Sequence, residues 1–475
     1  MFVGRERELQ ILSDLLEKDR ATLVTLQGRR RIGKSALVHH LCSSHFKKTK
    51  VQIYEFIGLA PRKGIGKSAQ LANFSKTLSG YLKVDSVKLA DWKQALHKLN
   101  DLATKSKTVI FLDEISWMAI GEPDFAGLIK EAWDSSLSKN SNVCLILCGS
   151  VSSWIQENIL NATGFVGRIS RALKLTELSL RDSALLLKSG NKRIAAEEIA
   201  KCLAITGGVP RYLEEVRISS SVEQAISELA LTPEGPFFDE FDRIFSDIFG
   251  RARTTYKDII TAIGEKRCTL EELAKKLKIE SNGSLVKQVN NLCEAYFLRR
   301  DHTWSLSDTK PSKLSTLAVS DNFIRFYVKY VLNKRSRLRN LPLDHNKTDH
   351  NLPWQQIFGL QLENTVVNHI NEILPLLKID PNEVLQIGPF FQNQTKNSKG
   401  VQIDCLVQCK YKVLHIIECK SGSYIGPEVM PEISEKLDYF KGYSTRAHLI
   451  YTGRLSQAVA DSEIIDKKIE FESLL

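Results

Sequence analysis

The run Gly28-Arg29-Arg30-Arg31-Ile32-Gly33-Lys34-Ser35-Ala36 fits the pattern G-x-x-x-x-G-K-[ST] between an apolar strand signal from Thr22 and an apolar helix signal. Two glycines let a backbone curl so that its N–H groups point at phosphate oxygens, and a helix N-terminus adds positive potential there. Lys34 is then placed to reach terminal phosphates, and the Ser35 hydroxyl to ligate magnesium. Such a cradle needs acids, and "TVIFLDEI" supplies Asp113 and Glu114 where an apolar run ends. Ligands of α/β sheets sit at such strand ends. Asp113 is expected to hold magnesium through water, and Glu114 to orient and activate the attacking water. A further apolar run, "NVCLILCGS", ends in Ser150, within reach of the same region.

A second set lies near the end of the chain. In "VQIDCLVQCKYKVLHIIECKSG", Asp404, Glu418 and Lys420 interrupt two runs that alternate like a hairpin. Period-2 geometry puts Glu418 and Lys420 on one face and Cys419 on the other. Glu363, on a preceding helical pattern, can converge on that face. Two carboxylates and a lysine on neighbouring strands make a magnesium site, the acids holding metal and the lysine stabilising charge on phosphate. A structural salt bridge between Glu418 and Lys420 is the alternative.

The elements that must position these residues divide the chain. A core of alternating strands and helices spans 1–175, and a helical segment with "ITGGVPRYL" spans 176–235. Three helical patterns and a hairpin follow at 250–310. Leu270–Leu277 and Gly283–Glu294, joined by a tight turn, have helix-turn-helix grammar. "AYFLRRD" and "HTWSLSD" are expected to form the two strands of its wing. Reading DNA through Lys287 and acting as a rigid spacer both remain open. A linker helix with a basic segment spans 311–350. Its cations Lys334, Arg335, Arg337 and Arg339 suit a helix C-terminus or a phosphate backbone equally. Residues 351–475 give a helix from Trp354 to Leu374, a loop with "IGPFFQNQ", the hairpin, a helix from Pro431 to Phe440 and the strand "RAHLIYTG". "PRKGIGKSAQ" repeats the end of the phosphate motif, but Pro61 replaces the first glycine, so a solvated basic loop is expected.

At 475 residues with 43% hydrophobic and 25% charged content, several globular domains of α/β class are expected. No apolar run is long enough for a membrane span, and a charged N-terminus does not suit a secretory signal. Nine cysteines without zinc-finger spacing fit a reducing cytoplasm. The formal net charge of +11 permits a nucleic-acid partner.

"FVGRERELQIL", "GRRRIGKS", "FLDEI", "LILCGS", "GFVGRIS" and "ITGGVPRYL" occur in the order seen in archaeal-type ATPases, and the chain resembles that family over roughly residues 1–235. The family belongs to the signalling branch of the AAA+-like P-loop NTPases. The resemblance implies that Val3, Gly4 and Arg5 line the adenine. It further implies that Arg168 lies near the γ-phosphate, and that Pro210 and Arg211 supply a sensor arginine on a helical lid. The Asp404, Glu418 and Lys420 pattern resembles the PD-(D/E)xK nucleases, with Ile403 where their proline stands. It matches the nuclease-like domain fused to such ATPases. The implied architecture is a P-loop domain with a lid, a winged helix and a restriction-endonuclease-like domain. The implied activity is ATP- and Mg²⁺-dependent switching of a nuclease that acts on DNA. A signalling or scaffolding ATPase with an inactive nuclease fold is the alternative. A motor would need a homo-oligomeric ring with Arg168 acting in trans.

Overall fold

The computed structural model describes residues 1–45, 51–62, 64–150, 153–218, 221–340, 352–394 and 399–475. Two compact units emerge. One comprises Phe2–Glu177 with Arg243–Arg253, and the other comprises Met1, Leu178–Asp242 and Thr254–Leu475.

The first unit is built on strands β1 (Thr22–Gly28), β2 (Gln52–Ile57), β3 (Thr108–Asp113), β4 (Val143–Ser150) and β5 (Arg171–Leu175). They form one parallel sheet in the order β2-β3-β4-β1-β5. β1, β3 and β4 are buried along their whole length, which is why they read as unbroken apolar runs. Register then does the positioning. Gly28 sits beside Ser150, and Leu112 beside Leu147, so Asp113 ends at the same sheet edge. Behind that edge Phe56, Phe74, Trp92 and Phe125 form an aromatic chain with centroid separations of 4.3, 5.4 and 4.8 Å. Each of these buried rings contributes about 2–3 kcal/mol of apolar burial.

The GKS repeat differs from its expectation. β2 leads toward it, and Lys67 and Ser68 open the helix Lys67–Leu82 rather than lying in a loop. Lys67 is held by Glu122 at 2.7 Å, an ion pair no local pattern reveals.

The second unit opens with helices of the 178–242 segment. The helices Arg253–Glu265, Leu270–Leu277 and Gly283–Glu294 follow. Thr269 and Glu272 form a reciprocal capping box at the start of the second. A hairpin of β6 (Leu298–Trp304) and β7 (Pro311–Val319) comes next. The expected second wing strand is therefore displaced: His302–Trp304 continue β6, and the turn falls later, at 305–310. Thr309, with φ 58°, takes the left-handed conformation there. The hairpin is also engaged, because Trp304 Nε1 donates to Gln408 Oε1 at 2.7 Å and Gln386 Nε2 donates to the Thr309 carbonyl at 3.0 Å.

The C-terminal sheet holds β8 (Val384–Gln392), β9 (Val401–Cys409), β10 (Val413–Lys420), β12 (Ser444–Tyr451) and β14 (Ile465–Glu470), in the order β14-β12-β10-β9-β8. β11 (Tyr424–Ile425) and β13 (Arg454–Leu455) pair separately. The expected "IGPFFQNQ" loop is thus largely strand β8. β8, β9 and β10 run antiparallel, and β10, β12 and β14 parallel. The helix expected from Trp354 to Leu374 breaks at His369, between Trp354–Asn368 and Ile370–Ile373. The sheet-covering helix spans Val429–Tyr439.

Part of the basic segment, 341–350, lies outside the described residues. Of its expected cations, Arg335 pairs with Asp239 and, at 2.7 Å, with Asp242, while Arg339 reaches Asp239 at 2.6 Å. These two arginines therefore pair with acids of the same unit, Arg335 buried and Arg339 exposed. Among the described residues no helix is long and apolar enough to cross a membrane.

Candidate functional site

β1 delivers the phosphate loop at Gly28. A Cβ there would lie 2.8 Å from Ile32 Cγ2 and 3.0 Å from the Leu175 carbonyl oxygen, so only glycine fits. Arg31 (φ 70°) and Gly33 (φ 92°) take left-handed conformations that curl the loop into the helix Lys34–His40. The Lys34 ammonium, buried, donates to the Gly28 carbonyl at 3.0 Å and the Arg29 carbonyl at 3.2 Å. The loop is laced across its own lysine.

Ser35 Oγ donates to Asp113 Oδ2 at 2.7 Å, and the Glu114 N–H donates to Asp113 Oδ1 at 2.9 Å. Serine and aspartate are thus placed together as the residues that would hold a magnesium ion. Glu114 has φ 51° and ψ 49°, a left-handed non-glycine conformation that costs about 1–3 kcal/mol and marks a built position. Its carboxylate accepts from Ser150 Oγ at 2.9 and 3.2 Å and from the Ser150 N–H at 3.4 Å. Ser150 therefore orients the acid expected to activate water.

Arg5 ties the opening box to this loop. Gly4 (φ 71°) and Arg5 (φ 69°) turn the chain into the helix Glu6–Leu16. The Arg5 guanidinium donates to the Thr176 carbonyl at 2.6 Å and the Ile32 carbonyl at 3.3 Å. Arg29 is buried with Glu177 at 3.7 Å. Arg168 forks onto Asp134, at 2.6 and 2.9 Å, and holds that carboxyl below its usual range. A role for Arg168 at a γ-phosphate requires it to leave Asp134. In the other unit, Pro210 starts the helix Pro210–Glu215, and Arg211 pairs with Glu215 at 2.5 Å and Glu214 at 3.5 Å.

The hairpin acids are brought together. Ile417 pairs with Cys405, so the register sets Glu418 opposite Asp404 on one face. Asp404 Oδ2 accepts from the Cys419 N–H at 2.9 Å. Burial, then the field of Asp404, pushes Glu418 up to about 8. Burial raises Asp404 too, against the opposing pull of the Cys419 N–H, Lys436 and Lys420. Glu363, on the helix Trp354–Asn368, is raised by burial and by Asp404, while Arg325, Arg267 and Arg299 oppose this. Three acids therefore share one field.

The lysines are arranged otherwise than expected. Lys420 pairs with Glu432 at 2.7 Å, and Lys436 reaches Glu418 at 2.5 Å and Glu432 at 2.9 Å. Glu418 Oε1 is buried and has no hydrogen-bond partner among the described residues. Among the described residues no group of three or more His, Cys, Asp or Glu side chains is spaced to hold a metal ion. Sequence reasoning missed Lys436 and Glu432; their i,i+4 spacing on an amphipathic helix was the available signal. It also missed Arg325, whose guanidinium, lowered to about 10 by burial, donates to the Leu360 carbonyl at 2.8 Å.

Residues 2–216 match the model of an ATPase domain predominantly from Archaea. An uncharacterised protein of Methanocaldococcus jannaschii is 25% identical over 423 residues, covering 86% of this chain and 84% of its own. A Walker-type ATPase of Pyrococcus abyssi is similar in structure at a TM-score of 0.50 and 19% identity, over 69% of this chain and 96% of its own. The ORC2 protein of Aeropyrum pernix, in ADPNP–ADP complexes, gives a TM-score of 0.44 at 14% identity, over 71% of this chain and 95% of its own. The N-terminal part of the chain is thus similar to an ATPase domain predominantly from Archaea and shares the parallel-sheet fold of a Walker-type ATPase.

Proposed function

We propose that the chain is a cytoplasmic switch in which ATP binding and hydrolysis at Gly28–Ser35 control a metal-dependent nuclease site, formed by Glu363, Asp404, Glu418 and Lys420, that acts on DNA. The reading assigns 1–175 to the ATPase core, 176–235 to its lid, 250–310 to a winged helix, 311–350 to a linker and 351–475 to the nuclease-like domain. Ser35 and Asp113 would hold the magnesium of ATP; Glu114, aimed by Ser150, would take the proton of the water that attacks the γ-phosphorus as ADP leaves.

The observation that carries the nuclease reading is the pairing of Asp404 with Glu418 on adjacent strands in a field that disfavours their ionisation. Buried carboxylates persist only when something neutralises them. The orphaned Glu418 Oε1 is an acceptor that suits a divalent cation. Magnesium held by Asp404 and Glu418 would polarise a phosphodiester and lower the pKa of a bound water. Lys420, released from Glu432, would meet charge developing on phosphate.

Coupling is supported by the membership of the 178–242 segment in the C-terminal unit. There Asn322 Nδ2 donates to the Leu203 carbonyl at 3.2 Å, and the Leu180 N–H donates to Glu372 at 3.0 Å. A lid moved by nucleotide carries the C-terminal module with it. The wing, engaged through Trp304 and Thr309, favours a rigid spacer over a groove reader. The Lys436–Glu418 ion pair favours a second reading, a nucleic-acid or partner-binding module that kept a nuclease shape. A cleavage assay on EDTA-stripped protein, restored with Mg²⁺ or Mn²⁺, separates the two. The first reading requires metal-dependent cleavage that Asp404→Ala and Lys420→Ala each abolish, with ATP binding intact. Binding of DNA without cleavage under every metal tried would favour the second.

A further inference from the structure

We propose that Lys436 is a tethered cation that holds the place of a divalent metal at Glu418, so that metal enters only by displacing the ammonium. This inference rests on the metal-site reading above and adds a residue outside the D, E and K pattern.

The geometry starts from the covering helix Val429–Tyr439. Ile433 is fully buried beneath it, and Lys436, one turn on, projects from the same side. Its Nζ stands 2.5 Å from Glu418 Oε2, with the lysine side chain 16% exposed and the glutamate 2%. An ammonium at that oxygen engages lone pairs that a divalent metal would otherwise use. One carboxylate oxygen of Glu418 is therefore taken by Lys436, and the other has no hydrogen-bond partner among the described residues.

The same helix supplies a resting place. Glu432, four residues before Lys436, accepts from it at 2.9 Å and is 43% exposed. A lysine stem has enough freedom to keep that outer contact while giving up the inner one. Lys420 shares Glu432 at 2.7 Å, so both lysines beside the acids are anchored by one carboxylate outside the pair. Metal entry exchanges one cation for another at Glu418 and leaves the ammonium on Glu432. Losing Lys436 would leave Glu418 and Asp404 to repel one another, a condition that a metal relieves.

The test uses the full chain, stripped with EDTA and titrated with Mn²⁺ alone by calorimetry, with thermal unfolding followed in parallel. Asp404→Asn, made in each background, identifies the uptake belonging to this site and removes any contribution from the phosphate loop. Lys436→Met should bind Mn²⁺ at least about tenfold more tightly in the Asp404-dependent phase. Its unfolding temperature should fall without metal and recover with it, whereas Lys436→Arg should match the wild type. Glu432→Gln, which removes the resting place, should weaken Mn²⁺ uptake severalfold and serves if Lys436→Met does not fold. Asp404-dependent uptake that is unchanged or weaker in Lys436→Met, or stronger in Glu432→Gln, would overturn the displacement and leave the metal site standing. Lack of Asp404-dependent uptake in every protein would overturn both.

Discussion

Lys34→Ala removes one ammonium from the phosphate loop, and the structure sets the size of the effect. That ammonium makes charge-assisted hydrogen bonds to two carbonyls, at 3.0 and 3.2 Å. Such bonds contribute about 1.5 kcal/mol each at the low end, so about 3 kcal/mol must be given up when Lys34 turns to phosphate. Against this, one unit charge about 3 Å from another at an effective dielectric of about 20 gains roughly 5.5 kcal/mol, and ATP presents more than one. The difference, about 2.5 kcal/mol or more, is an ATP affinity lower by about 100-fold. The same substitution frees the two carbonyls, so the variant without ATP should itself lose about 3 kcal/mol. At about 2–4 °C per kcal/mol, thermal unfolding detects that loss. Calorimetric titration with ATP–Mg²⁺ reads the affinity. A Lys34→Ala chain that binds ATP within about threefold of the wild type would refute the assignment of the loop.

Glu114→Gln should keep ATP affinity within about twofold and slow hydrolysis by about 100-fold or more, and Ser150→Ala should slow it about tenfold through loss of orientation. Single-turnover assays check both, and hydrolysis at wild-type rate in Glu114→Gln would exclude the role given to that acid. His415 and His448, stacked with their ring nitrogens 2.8 Å apart on β10 and β12, are lowered by burial to about 4 and about 3. The unfolded chain takes up protons from about pH 6.5 downward, before the native pair can. Stability is therefore full above pH 7 and falls toward pH 4. A loss on the order of 2–4 kcal/mol by pH 5 should appear in urea midpoints and flatten in His448→Gln. Trp304→Ala, which empties a site among Phe390, Leu406 and Ile416, should cost about 3–5 kcal/mol in the C-terminal unit and leave ATP affinity unchanged.

Much of the nucleotide site was legible because it depends on local spacing. The two glycines, the lysine and the serine fall in one short run, and Asp113 and Ser150 end apolar strands whose parallel register brings them to one edge. The helices Leu270–Leu277 and Gly283–Glu294 were legible for the same reason, through capping and tight turns. The pairing of Asp404 with Glu418 followed from strand alternation. What escaped depends on partners distant in sequence. Arg335 meets Asp239 from 96 positions away, and Trp304 meets Gln408 from 104. No window of neighbouring residues contains either pair. The second strand of the hairpin was misplaced because β6 runs through His302–Trp304 before turning. Lys436 escaped because an i,i+4 acid–base pair reads as a solvated helix face until the sheet beneath it is known.

The central claim is that nucleotide state governs a metal-dependent cleavage site. Its most direct measurement is cleavage of single- and double-stranded DNA by the full chain in Mn²⁺, as ATP is titrated, beside Lys34→Ala and Asp404→Asn. The account predicts cleavage that changes with ATP in the wild type, does not respond to ATP in Lys34→Ala, and is lost in Asp404→Asn at every ATP concentration. Cleavage by Asp404→Asn equal to that of the wild type, or none by the wild type on any DNA at any ATP concentration, would contradict it.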